Sequence, residues 1–105
     1  MAERIKRYEL QEEFEKLDRV TTVKFQPSAS IKLTYPCILY SLRRLYTRMA
    51  DDMPYIGKDE YTVTVVDRDP DSQIAKEIIK KFRYASFDRR YVADNLYHDV
   101  ITLYY

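Results

Sequence analysis

The residues best equipped for chemistry fall in three places. The stretch "DRDPD", Asp67 to Asp71, alternates carboxylates with a cation and a proline. Asp67, Asp69 and Asp71 could together hold Mg²⁺ or Ca²⁺, and a metal held that way could serve a small nuclease. Such ions need several oxygens converging on one point, and the glycine and distal glutamate of an EF-hand loop are not at their places here. The same residues suit a strand-to-helix corner: Pro70 belongs in a first helical turn, Asp71 or Ser72 would be the N-cap, and acids there complement the helix dipole. That architectural reading accounts for the acids, and neither a metal nor a cofactor is assigned. His98 is the single histidine and stands beside Asp99. With no second histidine and no serine in a glycine-rich elbow, a catalytic triad cannot be composed, and a structural hydrogen-bonding role is the plainer one. Cys37, the lone cysteine, has no cation or histidine beside it in "YPCILY" to activate a thiolate, so it reads as a small buried apolar residue. One glycine, Gly57, cannot build a phosphate-cradling loop. The chain is therefore read as a non-enzyme.

Composition points to contact rather than chemistry. The 105 residues, 46% hydrophobic, suit one domain over residues 1–105. Charged residues make up 33% of the chain yet sum to +1, which gives no general electrostatic footprint for nucleic acid or membrane. No apolar run nears the roughly 20 residues of a membrane span, and "MAERIKRYELQEEFEKL" is charged where a signal peptide would be apolar. An aqueous, reducing compartment is expected. Tyrosine occurs eleven times and tryptophan never; a tyrosine buries a ring and keeps a polar tip, which suits half-wet protein interfaces.

The elements that must position these residues follow from periodicity. Residues 2–18 predict a helix with Leu10, Phe14 and Leu17 on one face and Ile5 and Tyr8 on a second. "VTTVKFQ" predicts a short strand and "PSAS" a break. In "SIKLTYPCILYSL", Ile31, Leu33 and Tyr35 alternate, then Ile38, Tyr40 and Leu42 on the shifted phase, so Pro36 predicts an edge position or a bulge. Residues 43–59 show no clear period and predict a long loop, of the kind that usually carries function. Arg43, Arg44, Arg48 and Lys58 there supply cations, Asp51 and Asp52 the opposite sign, and Tyr46, Met53 and Tyr55 apolar anchors. These nine residues form the candidate interface. Residues 60–67 predict a strand, and Ile74, Ala75, Ile78, Ile79 and Phe82 a sheet-facing helix. Residues 84–104 predict two strands joined at Asp94 and Asn95, with Tyr97, Asp99, Ile101 and Leu103 opposing His98, Val100, Thr102 and Tyr104. The sum is an α+β fold: a mostly antiparallel sheet, two helices on one face, and a long loop between strands.

The stretches "YPCILYSL", "ADDMPYIGKDEYTVTVVDRDPDS" and "SFDRRYVADNLYHDVITLYY", in that order, resemble the small tail-completion or tail-terminator proteins of long-tailed bacteriophages, also labelled minor capsid or head-tail joining proteins. The resemblance runs from about Ile31 to Tyr105 and is carried by the combination rather than by one diagnostic motif. It implies a virion protein that assembles as a hexameric ring on the last ring of the tail tube. There it would stop tube growth and present a surface to a head-side connector, and DNA could pass through the lumen of such a ring. Two alternatives stay open: a neck or head-closure connector of the same virion region, and a metal-dependent nuclease using Asp67, Asp69 and Asp71.

Overall fold

The computed structural model describes residues 5–28, 31–48 and 54–105. In chain order these form α1 (Lys6–Glu15), β1 (Thr22–Phe25), β2 (Cys37–Arg44), β3 (Glu60–Asp67), α2 (Ile74–Lys81), β4 (Ala85–Ala93) and β5 (Leu96–Tyr104). The five strands make one sheet in the order β1-β2-β3-β5-β4. Only β1 and β2 run parallel; β2, β3, β5 and β4 pair antiparallel in turn. Strand β5 is inserted between β3 and β4, so the β3-α2-β4 crossover joins strands that run the same way without touching. The expected α+β class with a mostly antiparallel sheet is what forms.

Strand alternation decides which side carries the core. Ile38 and Tyr40 on β2, Tyr61, Val63 and Val65 on β3, and Ile101 and Leu103 on β5 are all buried on one face. Leu10 and Phe14 of α1 and Ile74, Ala75 and Ile78 of α2, with Phe82 just beyond it, complete the same cluster, so both helices cover one face. Each fully buried side chain of this kind contributes about 1.5–3 kcal/mol relative to exposure. Phe14 is the hinge of the packing: its ring lies 5.1 Å from Tyr40 and 5.4 Å from Phe82, tying both helices to the sheet. The Tyr40 hydroxyl donates to Gln11 Oε1 at 2.6 Å, Arg7 donates to that hydroxyl at 3.2 Å, and Gln11 Nε2 reaches the Val23 carbonyl at 3.2 Å. The buried phenol is thereby satisfied.

Several boundaries differ from expectation. The first helix begins at Lys6 and ends at Glu15; Leu17 still packs on the core, whereas Ile5 and Tyr8 are exposed. Residues 31–34 are irregular, and the strand starts only after the cis Tyr35–Pro36 bond. Pro36 sits outside the ladder, where its missing donor costs nothing; it is neither an edge residue nor a bulge, because β2 is flanked on both sides and the irregularity lies between Leu42 and Arg44. Arg43 and Arg44 belong to β2, so the long connection begins at Leu45. The β4–β5 hairpin closes through Asp94 and Asn95, whose φ of 53° and 62° fit the left-handed two-residue turn these residue types favour.

Candidate interaction surface

Nearly every group with chemical potential is engaged in structure. The corner acids act on the backbone: Asp67 Oδ1 accepts from the Asp69 N–H at 3.1 Å, and Asp69 Oδ1 from the Asp71 N–H at 2.9 Å. These are Asx turns, the local bonding that makes aspartate common in such corners. The predicted N-cap is displaced. Helix α2 starts at Ile74 with Gln73 in the capping position and no side-chain cap bond, and the Ser72 Oγ is buried without a partner. A four-residue turn, 69–72, closed by the Ser72 N–H on the Asp69 carbonyl at 3.2 Å, pushes the helix start beyond the reach of Asp71 and Ser72. Among the described residues no three His, Cys, Asp or Glu side chains come together as a metal-holding group. His98 stacks on Tyr91, rings 4.6 Å apart, and its Nδ1 lies 3.1 Å from the Leu96 carbonyl oxygen. It points to the opposite face from Asp99, as neighbours on a strand must. Burial, with Asp67 near, pushes the Cys37 thiol up to about 11, which keeps it from forming a thiolate.

Asp99 has a partner that sequence reasoning missed. Arg90 Nε and Nη2 reach its two carboxylate oxygens at 2.5 and 3.1 Å, and Arg90 Nη1 donates to the Pro70 carbonyl at 2.7 Å. Asp99 is 2% exposed. This bidentate pair holds the Arg90 guanidinium still more firmly protonated than usual through that hydrogen bond, and it clamps the hairpin to the corner before α2. Arg90 and Asp99 are cross-strand partners; an opposite-charge pair across a predicted hairpin was the available signal.

What remains at the surface is aromatic and cationic. Tyr55, on the connection before β3, packs its ring 4.2 Å from Tyr84 and 4.9 Å from Tyr104. Lys58 lies 5.7 Å and Arg83 5.5 Å from the Tyr84 ring, within cation–π range. Next to them Lys58, Arg83, Tyr84, Tyr104 and Tyr105 line an open cleft of about 370 Å³. Lys81, at its back, is anchored to Glu13 Oε2 at 3.0 Å. Backbone pairing of Asp59 with Tyr105, 3.1 and 3.0 Å, staples this end of the connection to the sheet. Glu60, 5% exposed, accepts from the Tyr104 hydroxyl at 3.2 Å and forms an ion pair with Arg43 Nε at 3.3 Å. Burial first, and the Glu60 carboxylate second, push the Tyr104 phenol above its ordinary range.

The candidate interface residues thus divide. Tyr55, Lys58 and Arg43 are gathered around Tyr84, Tyr104 and Glu60. Arg44 is exposed at the end of β2, opposite Glu60 in register. Tyr46 is half-buried, its N–H bonded to Asp59 Oδ1 at 2.8 Å, and Arg48 is exposed. Asp51, Asp52 and Met53 lie outside the described residues. Arg83, Tyr84, Tyr104 and Tyr105 were not anticipated; the repeated "RY" and "YY" pairs at the ends of predicted elements were the trace they left. Comparison of this chain with protein-family models, with curated proteins and with solved structures finds no match.

Proposed function

We propose that this chain is a structural assembly protein that works by docking, as a ring subunit at the head-proximal end of a phage tail tube. There it ends tube growth and joins tail to head. One observation carries the reading: the acids, the histidine and the thiol are absorbed into the fold, while tyrosines and cations are left gathered at one end of the sheet. Such a surface has the composition of interface centres, where aromatic and arginine side chains dominate the energy. The resemblance of residues 31–105 to tail-completion proteins supplies the biological setting. The mechanism in this reading is steric: one face matches the tube subunit, the other does not offer the matching surface again, and polymerisation stops.

The test is charge reversal on that surface. Lys58→Glu with Arg83→Glu should leave the melting temperature within a few degrees, because both side chains sit at the rim of the cleft and surface pairs contribute little to stability. In a complementation assay the same variant should give overlong tails of irregular length. Normal-length tails joined to heads would rule this surface out. Tails of normal length that fail to join heads would instead favour a neck or head-closure role.

A further inference from the structure

The outer edge of β4 is laid out to pair with a second copy of itself. Among the described residues this nine-residue strand ends the sheet, bonded on one side to β5 only. Residues 86–92 are all exposed, Phe87 at 50% and Val92 at 60%. Long exposed edges are normally guarded, and a bulge is one of the guards. Strand β4 has a bulge: its register with β5 shifts between Phe87 and Arg89.

The bulge sets which groups face outward. In an antiparallel pair, successive residues direct their backbone N–H and C=O alternately toward the partner and away from it. The two-residue hairpin closes on Ala93 and Leu96, so residues 93, 91 and 89 face β5, while 92 and 90 face out. From the other end, the Tyr104 N–H donates to the Tyr84 carbonyl at 3.0 Å, so 84 and 86 face β5, while 85 and 87 face out. The outward residues are therefore 85, 87, 90 and 92, spaced two, three, two. A regular strand offers groups every second residue and falls out of step at the bulge. A second β4, laid antiparallel across a two-fold axis, has the same spacing read backward and stays in step.

Side chains agree with the backbone. Ala85, Phe87 and Arg90 pair with Leu103, Ile101 and Asp99, and Val92 with Tyr97, all on the helix-covered side; Ser86, Arg89 and Tyr91 pair with Thr102, Val100 and His98 on the open side. Read from 85 to 92 with the bulged Asp88 beside Arg89, this pattern is symmetric about the bond between residues 88 and 89. A two-fold there sets Ala85 opposite Val92 of the second copy and Phe87 opposite Arg90 on one face, and Ser86 opposite Tyr91 on the other. At the centre Asp88 meets Arg89 of the second copy twice over, each already paired within its own chain at 2.6 Å, giving an alternating square of charge. Beside this edge lies an apolar cleft of about 340 Å³ lined by Ala75, Lys76, Ile79 and Phe87, which the second copy's Val92 would help to cover. We infer that β4 pairs with β4 of a second copy across a two-fold axis, making one continuous ten-stranded sheet. Such an isologous contact closes on itself. It is separate from any head-to-tail ring and does not depend on the tail reading; an edge-only contact is small and belongs to the weak, transient class.

Sedimentation equilibrium of the full chain from about 10 µM to about 1 mM spans the range where such a contact is populated. The average mass should climb from 12.7 kDa toward twice that value. Asp88→Arg puts four guanidinium groups at the axis and should keep the protein monomeric throughout. Asp88→Arg with Arg89→Asp rebuilds the square and should restore the climb. Val92→Pro removes one outward N–H and should also give monomer, and circular dichroism checks that each variant is folded. A wild-type mass that stays at the monomer overturns the inference, as does association unchanged by Asp88→Arg. Assembly into a ring whose mass is the same in wild type and Asp88→Arg at every concentration, with no Asp88-dependent doubling, would overturn it while leaving the proposed function standing.

Discussion

The corner before α2 and the clamp beneath it both depend on aspartates, and they use them in opposite ways. At the corner, Asp69 and Asp71 are exposed and Asp67 half-buried, and Asp67 and Asp69 accept backbone N–H groups a few bonds away. In the clamp, Asp99 stands alone in sequence, is almost fully buried, and is held by both arms of one guanidinium. The cluster that draws the eye does local, replaceable work. The isolated acid ties β4, β5 and the α2 corner together, because a carboxylate taken out of water must be fully paired or it is costly.

That contrast gives the largest expected effect. Asp99→Ala strands the Arg90 guanidinium beside an apolar wall. Breaking a buried pair costs about 3–5 kcal/mol, and the partial exposure of Arg90 moves the expectation to the low end, near 3 kcal/mol. A domain of this size should then melt roughly 13 °C lower. The paired replacement Asp99→Leu with Arg90→Met should recover most of the loss, since removing both charges leaves neither unpaired. A single variant that melts like the wild type would break the comparison, placing the clamp with the replaceable acids.

The corner variants should be milder, and one should reverse sign. Asp67→Ala or Asp69→Ala removes one exposed side-chain-to-backbone bond and should cost about 0.5–1 kcal/mol by thermal or urea unfolding. Ser72→Ala should be neutral or slightly stabilising, because its hydroxyl is buried with no partner and deleting such a group relieves a desolvation cost. Had Ser72 capped α2, the same change would cost about 1 kcal/mol. A clear loss on Ser72→Ala would therefore return the serine to a capping role. None of these three variants should acquire or lose a Mg²⁺-dependent change in melting temperature.

Why some of this was legible in the sequence and some was not follows from the range of the interactions. The strand over residues 60–67, the α2 stripe and the Asp94–Asn95 turn are written in local period and local turn chemistry, and each forms where expected. The parallel pairing of β1 with β2 and the insertion of β5 between β3 and β4 are choices among non-local partners, on which alternation within one strand is silent. Strand β2 runs two residues further than its apolar pattern, through Arg43 and Arg44, because Glu60 opposite them supplies the charge that an exposed strand end tolerates. In the candidate interface, Tyr55 and Lys58 were singled out by residue type. Their platform, Tyr84 and Tyr104, comes from the far end of the chain and left as its sign a tyrosine excess and the "RY" and "YY" pairs.

The smallest expected effect lies at the junction of the two helices, where a half-buried acid can be compared with both sets of aspartates. Lys81 Nζ donates to the Glu13 carboxylate at 3.0 Å and to its backbone carbonyl at 2.9 Å, and Lys16 donates to the same carboxylate at 3.1 Å. The Lys81 hydrogen bond first, and that of Lys16 second, hold the Glu13 carboxyl below its usual range against a small opposing effect of burial. A carboxyl that is more acidic folded than unfolded binds its proton less readily in the native state. Its contribution to stability is therefore present above the unfolded value and is lost as pH falls through the lower, folded one. Glu13→Gln should be slightly less stable than wild type near neutral pH, with the gap closing as pH falls below the ordinary carboxylate range and shrinking in about 0.5 M salt. Urea unfolding at several pH values checks this. A gap of constant size across that range would mean that Glu13 contributes through packing rather than charge, and the tie between α1 and α2 would then rest on Phe14 against Phe82 and on the Lys81 bond to the Glu13 backbone carbonyl.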